Sequence, residues 1–173
     1  MANIKFEKSG SKSNRMYVPA LTKVVNLVVG KLLPEHEKLT LTIGFKKLPK
    51  NQNAVLKVKN GNTKNFAIHL NKESSFTIWV IYLCHELVHA KQVYTGQLSF
   101  GTNNDQFIWN NGSERVELSV ASSIQRESDF DLYKDQPWER EAYSLQDELY
   151  DFCKKELASE KLDLGAGFLI PLF

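Results

Sequence analysis

The fold is decided by residues 75–94, whose sequence is SFTIWVIYLCHELVHAKQVY. Ser74 and Ser75 are typical N-cap residues, and Thr95-Gly96 is a typical helix end, so the stretch between them is predicted to be one long helix. Apolar residues occur on several sides of this helix and not along a single stripe. We therefore predict a helix that is buried in the core.

Two histidines and a glutamate lie near the middle of the predicted helix. His85 and His89 are four residues apart, so one helical turn brings both imidazoles onto the same face, where they can bind one metal ion. Glu86 is rotated by about 100° from His85. That position suits a general base that contacts a water and not the metal itself. The pattern predicts a zinc site with Glu86 as the catalytic residue.

The segments on either side of this helix predict an α+β fold. A helix is expected from residue 19 to 33, before Pro34, and a last helix from Pro137, capped by Gln136 or Asp135. Alternating residues predict three short, partly antiparallel strands, with a turn at Asn60-Gly61-Asn62 before the third. These strands are expected at residues 39–45, 54–58 and 66–70.

The length of 173 residues is that of one domain, 1–173, in which residues 1–18 and 159–173 are expected to be peripheral arms. Residues 100–135 are predicted to be a crossover with loops and one short strand, 106–109. The apolar stretch 164–173 is interpreted either as a tail packed on the body or as a contact for a protein partner.

Composition limits the classes of protein to consider. The net charge of +2 gives no general basic field, so no nucleic-acid partner is expected, although the N-terminal third is rich in Lys and the C-terminal half is acidic. No apolar run is long enough for a membrane span, and no secretory signal is visible. Cys84 and Cys153 do not form a disulfide framework and are expected to pack in the core. A cytoplasmic location is expected, with a virion component as the alternative.

Catalytic zinc normally has three protein ligands, so a third one is needed. His36 lies in a charged loop and His69 at a strand end, and both are less well placed than the acidic residues of the last helix. Glu139 is at the third helical position, where a capping role competes. Glu141 is deeper and precedes the small Ala142. We favour Glu141 as the ligand, with Glu139 as the alternative.

The chain resembles the zincin metallopeptidases, in particular the thermolysin-like subgroup called gluzincins. The resemblance rests on His85, Glu86, His89 and Glu141-Ala142, and covers roughly residues 39–155. The chain is also similar to small bacterial and phage-encoded peptidases of this type. The resemblance implies a small mixed or antiparallel sheet packed on the active-site helix, with zinc bound by His85, His89 and Glu141. It further implies that strand 66–70 is an edge strand that aligns an extended peptide substrate.

The chain departs from the gluzincin pattern at two points. The position four residues after Glu141 is Leu145 and not Asp, which leaves Asp147 or Glu148 to orient a histidine. No histidine follows residue 89, so the transition state would need another donor. Tyr143 is our choice for this role, with three alternatives, Tyr133, Arg140 and Arg126.

Three hypotheses follow for the function. The first is a zinc metalloendopeptidase that hydrolyses peptide bonds through a zinc-bound water activated by Glu86. The second is a structural or assembly protein, for example of a phage virion, that retains a zincin-like fold with little or no protease activity. The third is that His85 and His89 are core histidines without a metal.

Overall fold

The computed structural model describes residues 2–7, 14, 16–33, 39–101, 105–126 and 129–159. His36 and the apolar stretch 164–173 lie outside the described residues. The helices are α1 (Val18–Leu32), α2 (Phe76–Tyr94), α3 (Val120–Arg126), α4 (Phe130–Lys134) and α5 (Pro137–Ser159). The strands are β1 (Asn3–Phe6), β2 (Thr40–Lys46), β3 (Ala54–Val58), β4 (Asn65–Asn71), β5 (Leu98–Phe100), β6 (Gln106–Asn110) and β7 (Arg115–Ser119). The chain is thus α+β, as predicted.

A four-stranded sheet has the order β1-β2-β4-β3. The neighbours β1, β2 and β4 are parallel, whereas β3 pairs antiparallel with β4. Strand β1 belongs to the predicted N-terminal arm and forms one edge of the sheet. The prediction that strand 66–70 is an edge strand is wrong, because β4 lies between β2 and β3. The second edge is β3, which reaches β4 through the predicted turn, where Asn60 and Gly61 have φ of 54° and 65°.

One face of this sheet packs on α1 and α2. Alternate residues of β2 and β4 point to this face, as the two-residue period of a strand requires, and all are buried. They are Leu41, Ile43, Phe45, Phe66, Ile68 and Leu70. The Trp79 indole N–H donates to the Asn71 carbonyl at 2.7 Å and so joins the first turn of α2 to the end of β4.

The central helix α2 agrees with the prediction at both ends and in its burial. The Ser75 hydroxyl accepts from the Ile78 N–H, and Gly96, just beyond the end, has φ of 77°. Such an N-cap contributes about 1 kcal/mol to stability. Eleven of its residues are buried, and it contacts α1, α5, β3, β4 and β5. No helix in the described part of the chain is long and apolar enough to cross a membrane.

The segment from residue 100 to 135, predicted as a crossover with loops, contains more structure than expected. The predicted strand at 106–109 is β6, and it is the centre of an antiparallel three-stranded sheet, β5-β6-β7. Residues 115–119 alternate between exposed charged or polar residues and half-buried Val116 and Leu118, so their sequence carries the strand period. The short helices α3 and α4 then lead to α5.

The last helix begins at Pro137 as predicted and packs along α2. The small residue Ala142 is fully buried at this contact. Cys84 on α2 and Cys153 on α5 are free and buried, as expected. The three tryptophans also belong to the core.

Candidate metal centre

The two histidines of α2 point to a common position. Both rings are largely buried, and the two Nε2 atoms are 3.1 Å apart. The ring planes are nearly perpendicular, at 82°. This arrangement confirms that the four-residue spacing places both imidazoles on one face of the helix.

Helix α5 brings Glu139 to the same position. The Glu139 carboxylate oxygens are 3.3 Å from His85 Nε2 and 3.3 Å from His89 Nε2. The structure does not bring Glu141 to this point, because its carboxylate binds the Lys91 ammonium and the Gln92 amide, each at 2.8 Å. Our preference for Glu141 is therefore corrected in favour of Glu139.

Helix geometry explains this correction. Residues 139 and 141 are about 200° apart around the helix axis, so only one of them can face the histidines. Glu139 is three residues before Ala142 and lies on the same side of α5, which packs on α2. The expected capping role does not hold Glu139, because the Gln136 side chain bonds the Ser123 hydroxyl and the Tyr133 carbonyl instead.

The three groups fit a metal ion. Their ligand atoms all lie within 4.8 Å of one another, so this cluster could bind one. A tetrahedral zinc ion with bonds of about 2.0–2.1 Å separates its ligand atoms by roughly 3.3 Å. The observed separations of 3.1, 3.3 and 3.3 Å agree with that value. In addition, Glu139 Oε2 is buried and has no hydrogen-bond partner among the described residues, which is costly unless a cation binds there.

The electrostatics of the cluster are those of a preformed cation site. Burial alone would lower the pKa of His89, but the nearby Glu139 carboxylate raises it to about 9. Burial also opposes ionisation of Glu139, but the two histidines hold the pKa of its carboxyl well below the usual range. Without a metal, the anionic carboxylate retains a proton on His89, and a metal ion would replace that proton.

The buried Gln92 orients His89, a role that the sequence analysis missed. Its amide nitrogen donates to the Trp138 carbonyl and to Glu141, so its oxygen must be the atom that faces His89. The His89 Nδ1–H donates to this oxygen at 2.8 Å. The Nδ1 position therefore carries a hydrogen, and Nε2 is directed at the metal position. Gln92 lies three residues after His89 on the same face of the helix, and this spacing was the sequence signal that could have identified its role.

Two tyrosines border the cluster in different ways. The Tyr133 hydroxyl donates to Glu139 Oε1 at 2.7 Å, so it positions the carboxylate and is not free to bind a transition state. The Tyr143 ring packs edge-on against His85, with 4.6 Å between ring centroids. Burial, with Glu139, raises the pKa of Tyr143 to about 12. Its hydroxyl therefore remains a hydrogen-bond donor at neutral pH.

Glu86 lies between the histidines and the edge strand β3. It is only 8% exposed, and burial raises the pKa of its carboxyl, while His89 and His85 act in the opposite direction. The main chain of Leu56 on β3 also acts to lower the pKa of this carboxyl, so β3 passes close to Glu86. Asn53 and Lys59, which flank β3, form main-chain bonds with Asn71 and Asn65, and the antiparallel register continues this alternation through the strand. Ala54, Leu56 and Val58 therefore turn their main-chain groups away from β4.

The approach to the cluster has exposed apolar groups on the side of α4. Phe130 and Leu132 are 60% and 50% exposed, the largest values for big apolar residues in the described chain. The Phe130 and Tyr143 ring centroids are 6.3 Å apart, and the Lys134 ammonium lies over both rings.

The other residues named from the sequence lie away from the cluster. His69 is on the opposite face of the sheet, 3.4 Å from Glu7. Glu148 pairs with Lys31, Asp147 accepts from Gln146, and Arg140 pairs with Glu114. The side chain of Arg126 is outside the described part of the structure. None of these four described residues orients a histidine of the cluster.

Comparison of the chain with protein-family models, curated proteins and solved structures finds no match.

Proposed function

We propose that the protein is a zinc-dependent metallopeptidase. The observation that carries the proposal is the convergence of His85, His89 and Glu139 at tetrahedral spacing, with the buried carboxylate of Glu86 beside them. Two imidazoles and one carboxylate leave one position of a tetrahedral ion open, which is the composition of a catalytic and not a structural zinc site. Imidazole ligands also favour zinc over magnesium or calcium.

Zinc bound by these three residues would supply Lewis acidity, which acidifies a water and polarises a carbonyl oxygen. Glu86 would accept the proton of the attacking water and return it to the leaving amine. Its raised pKa suits both steps, because a carboxylate whose pKa is closer to neutrality accepts a proton more readily and can still release it near neutral pH. Tyr143 would donate a hydrogen bond to the oxygen that gains negative charge.

The substrate would be an extended peptide that binds along the outer edge of β3. Unpaired main-chain groups of an edge strand bind extended peptides by strand addition, and this edge passes Glu86. The exposed Phe130 and Leu132 would contact an apolar side chain of the peptide on the opposite side of the cluster. This arrangement supports a peptide more than a small polar substrate.

The test is hydrolysis of a mixed peptide pool by zinc-loaded protein and by Glu86→Gln. We expect this variant to retain one zinc per chain and to lose activity by about 10²–10⁴-fold, the usual contribution of a general base. Tyr143→Phe should also retain zinc and lose activity. The matched control is Glu148→Gln, an exposed carboxylate on α5 that pairs with Lys31, which should leave hydrolysis unchanged.

Two results would contradict the proposal. Protein that takes up no zinc from solution would exclude any metal-dependent activity. Stoichiometric zinc binding without cleavage of any peptide would instead support the alternative of a structural or assembly protein with a zincin-like fold.

A further inference from the structure

The small net charge is the sum of a strongly basic N-terminal part and a strongly acidic C-terminal part. Residues 1–72 contain fourteen Lys or Arg and three Asp or Glu, a net charge of +11, whereas residues 73–173 contain eight and seventeen, a net charge of −9. The first part forms α1 and the four-stranded sheet, and the second part contains α2, α5 and the second sheet. The net charge of the whole chain, on which the expectation of no nucleic-acid partner was based, therefore does not describe the charge of each surface.

Four of these fourteen basic residues belong to the face of the four-stranded sheet that points away from the helices. Strand alternation places Leu41, Ile43 and Phe45 toward the core, and so directs their neighbours to the opposite face. That face carries one lysine on β1, one on β2, one on β3 and one just after β3. We call Lys5, Lys46, Lys57 and Lys59 the basic face.

The strand register aligns two of these lysines, and the side chain of a third reaches the same row. Lys5 is opposite Thr42, Thr42 is opposite Ala67, and Ala67 is opposite Lys57, so the four residues form one row across the sheet. The Lys59 ammonium reaches into this row and donates to the Thr42 hydroxyl at 3.0 Å. With strands about 4.8 Å apart, the row extends for roughly 14 Å. Lys46 lies further along β2.

The described residues around the basic face offset only part of its charge, because Glu7 is the one acidic side chain that they place over it. Lys5, Lys46 and Lys57 are exposed, and none of them pairs with an acidic residue of the described chain. The acidic side chain of Glu7 over this face contacts the buried His69. Burial lowers the pKa of His69, the contact with Glu7 raises it, and the charges of Lys46 and Lys57 lower it. The face thus carries four lysines and one carboxylate among its described residues.

We propose that the basic face binds the phosphodiester backbone of nucleic acid without reading its sequence. A row of about 14 Å matches roughly four steps of one DNA strand at 3.4 Å per step. Thr42 and Asn65 are on the same face, and hydroxyl and amide groups are also frequent phosphate donors. No Phe, Tyr or Trp belongs to the strands' outward positions, and the imidazole of His69 there is buried, so bases have no stacking platform and the binding is limited to phosphates.

The composition of the face argues against two other partners. Protein interfaces are enriched in aromatic residues and depleted in Lys, the reverse of what is found here. A membrane-surface site would need large exposed apolar side chains, but among the described residues these are Met16, Phe100, Phe130 and Leu132, none of which is in the four-stranded sheet. Charge complementarity therefore favours nucleic acid.

The test is fluorescence anisotropy with labelled 20-base-pair duplexes of two unrelated sequences, titrated with the full chain at 50–200 mM salt. If all four lysines contact phosphates, log K should fall with log[salt] with a slope of about −3.6, a loss of roughly 150-fold over this range, and equally for both sequences. The variant with Lys5→Gln, Lys46→Gln and Lys57→Gln should reduce the slope by about 2.7. The matched control removes the same charge from the acidic part through Lys134→Gln, Lys154→Gln and Lys155→Gln, and should keep the slope.

A third variant separates charge from folding. Substitution of the same three positions by Arg should retain binding and slope, and circular dichroism should show equal folding of all variants. Equal loss of binding in both Gln variants would overturn the proposal, because it would show a response to net charge alone. The absence of duplex binding at 50 mM salt, or tighter binding to polyglutamate or to anionic vesicles, would overturn it as well.

Discussion

Helices α2 and α5 both contribute to the candidate metal centre, but they position their residues by different means. Helix α2 supplies His85 and His89 from one turn of a helix that is buried on several sides, so their relative position follows from local geometry. Helix α5 supplies a single residue near its N-terminus, and that residue depends on how the helix packs on α2. Ligands within one element are thus defined by spacing, whereas a ligand from a second element is defined by tertiary packing.

The largest loss of zinc affinity is expected from substitution of Glu139, and Glu141 on the same helix provides the comparison. Glu139→Ala should lower zinc affinity by more than the 10–100-fold typical of residues that only orient a ligand, because it removes a ligand itself. Glu141→Ala should have a smaller effect, through Gln92. Zinc affinity measured by competition with a chelator tests this difference. A greater loss in Glu141→Ala would reverse the assignment.

Zinc affinity should also depend strongly on pH, because Glu139 of α5 favours the protonated form of His89 on α2. The pKa of His89 is raised to about 9, so zinc must displace a proton below that pH. A raised pKa means that the proton is held more tightly, and apparent zinc affinity should therefore fall as pH falls, by about tenfold per unit, or about 100-fold from pH 8 to pH 6. Chelator competition across this range, together with proton release measured in buffers of different ionisation enthalpy, checks the prediction. An affinity that does not change with pH would show that His89 is already neutral.

The sequence predicted the contribution of α2 well and that of α5 only in part. The cap at Ser75, the end near Gly96 and the facing pair of histidines are local properties, and all agree with the structure. The choice between Glu139 and Glu141 depended on the face of α5 that meets α2. Ala142 was the useful clue, but a small residue marks the face of residues three or four positions away and not of its direct neighbour.

The sheets show the same limit. Three strands of the larger sheet were predicted from alternation and turns, but their order was not, because pairing between β2 and β4 joins residues separated by the whole of β3. The edge position was consequently assigned to β4 and not to β3. In the second sheet, strand β7 was not predicted, because it has only five residues and most of them are exposed. Strand order and partners depend on contacts that are distant in sequence.

A further prediction concerns the link between the two helices. Gln92 bonds His89 on α2 and both Trp138 and Glu141 on α5, so its loss should disturb the orientation of the imidazole and the contact with α5 together. Gln92→Met preserves size but removes these bonds, and we expect zinc affinity to fall by about 10–100-fold. The control is Gln106→Met on β6, which is exposed and should leave zinc affinity unchanged. Unchanged affinity in Gln92→Met would show that core packing alone orients His89.

The smallest effect is expected at Tyr133, which acts on α5 alone. Its hydroxyl donates one hydrogen bond to the Glu139 carboxylate, and one such bond to a charged group contributes about 1.5–3 kcal/mol to a buried site. Zinc shares the same carboxylate and offsets part of that loss, so Tyr133→Phe should weaken zinc binding by roughly tenfold, less than Gln92→Met. Chelator competition on both variants gives the order directly. If Tyr133→Phe lowers zinc affinity more than Gln92→Met does, the carboxylate of Glu139 depends more on its hydrogen bond than the imidazole of His89 does. The reason would be that the buried helix α2 already fixes the orientation of its histidines.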